Sequence, residues 1–89
     1  MDIELKEQIR DSIIQMATDR GPEKSICPSE VARALKPEDW RPLMPEIREV
    51  AAELLNEQTI AVTQFGKTVD PLNSKGHIRI SIRSKGTSS

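Results

Sequence analysis

The apolar period of this chain changes once, at Asn56-Glu57-Gln58, and that change restricts the fold more than any other feature. Before it, Leu43, Met44, Ile47, Val50, Ala51, Leu54 and Leu55 fall on one stripe at about 100° per residue, which predicts a helix over Leu43–Gln58 lying on a core. After it, Ile60, Val62 and Gln64 alternate with Ala61, Thr63 and Phe65. Farther on, Ile78, Ile80 and Ile82 alternate with Arg79, Ser81 and Arg83. Such alternation is the mark of half-buried strands. A chain of 89 residues has room for one core, so helices and a small sheet must share it. The expected class is α+β.

Upstream, Leu5, Ile9, Ile13 and Met16 form the inward stripe of a first helix that Asp2 can cap and that runs to about Asp19. Arg20-Gly21-Pro22 ends it, because glycine supplies a left-handed cap and proline cannot extend the turn. Ser25-Ile26-Cys27 has the length for one short strand. A second helix over Pro28–Leu35 turns Val31, Ala34 and Leu35 inward and sets Glu30 against the helix dipole. Lys36-Pro37 stops that helix, and Pro37-Glu38-Asp39-Trp40 fits a single turn that drops Trp40 against the core.

The stretch Gly66–Gly76 is longer than a tight turn and rich in turn residues, so it reads as one projecting loop between two antiparallel strands. Residues 1–83 form the expected domain, and Ser84–Ser89, small and polar, reads as a disordered tail. The order helix, short strand, helix, helix, strand, long loop, strand is that of a winged helix: three helices and a small antiparallel sheet, with the loop as the wing.

Composition removes several functions. Cys27 and His77 are the only cysteine and histidine, so an intramolecular disulfide is impossible and a zinc site lacks most of its usual ligands. The glycines stand isolated at positions 21, 66, 76 and 86, which gives no phosphate-cradling loop. The expectation is therefore no enzyme, no metal and no cofactor. Neither a signal-like apolar stretch nor a membrane-spanning run is present, so a cytoplasmic protein without membrane contact is expected. Ile3, Arg10 and Ile14 make only a weak second stripe on the first helix, which favours a monomer over a dimer.

The net charge of −1 conceals an asymmetry. Met1–Thr63 holds 8 Lys/Arg against 13 Asp/Glu, and Gln64–Ser89 holds 5 against 1. A cationic C-terminal third suits duplex DNA or RNA, since polyanion binding depends on where cations cluster and not on their total. The candidates are Arg41 and Arg48 around the start of the third helix, with Gln64, Lys67, Lys75, His77 and Arg79 on the wing. The outward face of the third helix carries Pro45, Glu49, Ala52, Glu53 and Asn56. Its carboxylates oppose phosphates, so the wing is the favoured contact. The alternative is a protein interaction module in which Glu49 and Glu53 are the contacts. Structural readings stand beside these: Trp40 as a core plug, Arg41 paired with Asp39 or Glu38, and Asp70 either forming a turn or holding Arg79.

The runs ICPSEVARAL at Ile26–Leu35, WRPLMPEIREVA at Trp40–Ala51 and VTQFGKTVDP at Val62–Pro71, with GHIRI at Gly76–Ile80, resemble a bacterial winged-helix family known only as a domain of unknown function. The resemblance covers about Leu5–Ile82. It implies the winged-helix fold and a bacterial cytoplasmic setting, and it implies no activity, cofactor or ligand. The family signature usually has proline at the position of His77.

Overall fold

A computed structural model describes residues 3–83. Three helices, α1 (Ile3–Arg20), α2 (Pro28–Leu35) and α3 (Met44–Asn56), precede three strands, β1 (Ile60–Gln64), β2 (Lys67–Thr68) and β3 (Arg79–Ile82). The strands form one antiparallel sheet in the order β2-β1-β3, giving an α+β fold in the winged-helix arrangement. The proposed Asp2 cap and the tail Ser84–Ser89 lie outside the described residues.

The change of period coincides with a helix C-cap. Gln58 adopts a left-handed conformation at φ 66°, its amide donates to the Leu55 carbonyl, and the Thr59 amide donates to that of Leu54, both at 3.0 Å. This is the Schellman arrangement with glutamine where glycine is usual. At the other end of α3, Arg41–Leu43 form a turn of 3-10 helix, so Leu43 enters the core just ahead of the α-helix proper. Gly21, at φ 99°, closes α1 by donating to the Ala17 carbonyl at 3.0 Å.

All three helices and the sheet meet on a single core. Ile9, Ile13 and Ala17 come from α1, Ile47, Val50, Ala51 and Leu54 from α3, and Ile60, Val62 and Ile80 from the sheet. Leu5 and Met16 pack at its margin. In α2 the buried alanine is Ala32 and not Ala34, which is exposed. Within eight residues, Pro28, Val31 and Ala32 set the buried stripe one step away from the expected one. The Ser25-Ile26-Cys27 strand reduces to a bridge at Ile26, which exchanges two backbone hydrogen bonds with Ile80 at 2.7 and 2.8 Å and covers the free edge of β3.

The wing is built differently from one long loop. Phe65 and Gly66, at φ 54° and 80°, make a two-residue turn, after which Lys67 pairs back onto Gln64 and Thr68 onto Thr63. Positive φ at both central residues is the signature of the type I′ hairpin, whose twist matches that of its strands. Sequence reading misses the turn because Phe-Gly lacks the Asn or Asp that normally announces it. The connection that truly projects is the return from Val69 to Ile78.

Candidate functional site

The return segment of the wing is held by Arg48. From its place on α3, the guanidinium donates from Nη1 to the carbonyls of Pro71 at 3.0 Å and Ser74 at 2.8 Å, and from Nη2 to that of Gly76 at 2.6 Å. Gln64 continues the support from the sheet, its Nε2 donating to the Lys75 carbonyl at 2.6 Å and the His77 carbonyl at 3.1 Å. Two side chains expected at a nucleic-acid surface thus use their donors on backbone that would otherwise lack partners. They shape the wing first, and Arg48 adds its charge beneath it.

Asp70 makes an Asx turn. Its Oδ1 accepts the Leu72 amide at 2.9 Å, and its Oδ2 accepts Asn73 Nδ2 at 2.6 Å. Of its two sequence readings the turn is the one realised, and Arg79 is held elsewhere. Arg79 Nε donates to Ser25 Oγ at 2.7 Å and Nη1 to Cys27 Sγ at 3.2 Å, which fastens β3 to the segment entering α2.

Across from the wing, Arg33 and Arg41 both lie over the Trp40 ring, 4.7 and 4.6 Å from its centroid. Cations favour that position because the ring face carries the negative end of the aromatic quadrupole. Trp40 is half-buried and packs against the core margin, so it serves as a plug while its ring carries two cations. Arg41 pairs with Trp40 and with neither Asp39 nor Glu38. Arg33 is absent from the sequence candidates; the only signal for it was an arginine seven residues ahead of a tryptophan, across a proline-containing break that fixes no distance.

These elements enclose an open cleft lined by Pro28, Ser29 and Arg33 of α2, by Trp40, by Met44 and Arg48 of α3 and by His77 and Ile78 of the return segment, with no carboxylate in its wall among the described residues. Cys27 also borders it, bringing Arg79 to its edge. Lys67 and Lys75 are exposed on the adjoining wing, and neither forms an ion pair among the described residues.

A family model described as a protein of unknown function, DUF3253, matches residues 6–83. The chain belongs to the DUF3253 family. No curated protein matches it. In this DUF3253 protein two carboxylates at the C-terminal end of α3 are tied to α1: Lys6 Nζ sits 2.7 Å from Glu53 Oε2, and Arg10 grips Glu57, the residue that caps the helix, with two bonds of 3.0 and 2.6 Å. Those pairs join α1 to α3 and leave Glu49 exposed without an ion-pair partner among the described residues. The Arg10 hydrogen bond holds the Glu57 carboxyl below the usual carboxylate range.

Glu30 anchors the other side. Burial pushes its pKa up, but the Cys27 amide at 3.0 Å and Arg20 Nη2 at 2.7 Å outweigh it, so the carboxyl lies below its ordinary value. Cys27 and His77 border one cleft, yet the hydrogen bond that Cys27 Sγ receives comes from Arg79. Among the described residues no group of three or more His, Cys, Asp or Glu could hold a metal ion, and no helix is long and apolar enough to cross a membrane.

Proposed function

We propose that this DUF3253 protein binds duplex DNA across the cleft between α2, the Trp40 turn and the wing. The observation that carries the reading is the convergence of Arg33, Arg41, Arg48 and His77 around Trp40, with Arg79 at the edge and no carboxylate in the lining among the described residues. Clustered cations raise the local attraction for phosphates although the whole chain is at −1. Arg33, Lys67 and Lys75 supply phosphate contacts, and the fork of Arg41 beside the start of α3 is the group best shaped to reach a base edge. Of the two carboxylates that a partner protein on the acidic face of α3 would use, Glu53 is held by Lys6, and Glu49 is exposed.

Fluorescence anisotropy with a short labelled duplex tests the reading. Binding is expected at about 50 mM salt and falls by an order of magnitude or more by about 200 mM, because each neutralised phosphate releases counterions. Arg33→Glu with Arg41→Glu, and separately Lys67→Glu with Lys75→Glu, each weaken it about tenfold or more. No binding at low salt, or binding indifferent to both double substitutions, overturns the proposal. A labelled RNA duplex, run in parallel, separates the two nucleic acids.

A further inference from the structure

The tip of the wing contradicts ordinary turn chemistry. Phe65 is 96% exposed and occupies a left-handed backbone at φ 54°, a conformation that costs free energy for any residue with a bulky side chain. Asparagine followed by Gly66 would form the same two-residue turn with less strain and no exposed ring. Strain and exposure thus coincide in one residue that contributes nothing to the core. Such coincidence is characteristic of sites where the side chain itself is used.

The ring stands on a braced support. Gln64, its neighbour, is bonded to the Lys75 and His77 carbonyls, and Arg48 fixes the same segment through Ser74 and Gly76. Lys67 lies directly across the turn, paired in register with Gln64, and Gln64 to Thr68 contains no acidic side chain. An exposed apolar ring, with Lys67 just beyond the turn and Lys75 on the braced segment, neither ion-paired among the described residues, fits a surface that offers phosphates on either side of an aromatic stack.

We propose that Phe65 is an inserting side chain: its ring enters between adjacent base pairs of a bound duplex from the minor groove while Lys67 and Lys75 hold the flanking phosphates. This rests on the duplex-binding reading above and adds to it how the wing engages. Aromatic and aliphatic wedges partly unstack a base step, and the lost stacking is replaced by contact with the ring. The braced turn suits this, because a wedge that folded back on entry would do no unstacking.

The test uses the full chain and a duplex carrying 2-aminopurine, whose fluorescence rises when it is unstacked. The wild-type protein is expected to raise that fluorescence on binding. Phe65→Ala and Phe65→Asn bind about tenfold more weakly and give no rise, while Phe65→Asn melts at a temperature no lower than the wild type. Weaker binding by a variant at least as stable separates a contact role from a structural one. Equal affinity and an equal fluorescence rise in the wild type and both variants overturn the insertion but leave duplex binding standing. Failure of the wild type to bind any duplex overturns both. Phe65-dependent binding to anionic phospholipid vesicles, with no fluorescence change on the duplex, would assign the ring to a lipid surface and overturn the proposal as well.

Discussion

The Arg48 guanidinium holds the Gly76 carbonyl at 2.6 Å, across 28 positions of sequence, and the same side chain takes the carbonyls of Pro71 and Ser74. One cation on α3 therefore fixes the return segment of the wing. Pro71, fully buried beside it, is the apolar part of the same anchorage.

Arg48→Ala removes these bonds and leaves carbonyls without donors in a partly buried place. The expected loss is about 2 kcal/mol in denaturant unfolding, with faster amide exchange confined to residues 71–78. Arg48→Lys recovers little of it, since an ammonium on a flexible stem cannot reproduce the planar fork. Unchanged stability in Arg48→Ala would show that the wing holds its shape without this side chain.

Leu54 is fully buried at the centre of the core, so Leu54→Ala is expected to cost about 2–5 kcal/mol through lost transfer energy and the cavity left behind. Thermal unfolding followed by circular dichroism reads it directly. A melting temperature equal to the wild type's would place Leu54 outside the core.

Gln58 gives an effect of the opposite sign. Its left-handed backbone at φ 66° disfavours a side chain, and Gln58→Gly relieves that at some cost in unfolded-chain entropy. A net gain of about 0.5–1 kcal/mol is expected, seen as a higher denaturant midpoint with an unchanged slope.

Glu30 supplies a pH signature. Its folded pKa is depressed, so its contribution is fully present above the ordinary carboxylate pKa of about 4.3 and is lost as pH falls from there through the folded value. Glu30→Gln is expected to be about 0.5–1 kcal/mol less stable at neutral pH. The difference should close in acid. A gap that persists once the wild-type carboxyl is protonated would mean that the charge is not what stabilises the start of α2.

Several features were legible because they are local. The α3 stripe from Leu43 to Leu55, the Gly21 cap and the alternation in β1 and β3 all follow from repeats spanning a few residues. Local signals failed where they were weak: the short α2 did not distinguish Ala32 from Ala34, and the Phe65-Gly66 turn carried no usual turn former. Among the candidate cations, sequence named Arg41, Arg48, Lys67, Lys75 and Arg79, but it did not sort those that support the wing or β3 from those that remain unpaired on the surface.

By itself, then, the sequence determined the class of the fold, the order of its helices and of β1 and β3, and the core face of its longer helices, because hydrogen-bond geometry ties those properties to spacing along the chain. Tertiary structure alone decided which polar groups meet: Arg48 with Pro71, Ser74 and Gly76, Arg79 with Ser25 and Cys27, Lys6 with Glu53, and Arg33 with Arg41 over Trp40. Long polar side chains have many rotamers and no period, so their partners are set by where packing of the core brings distant backbone within a few ångströms.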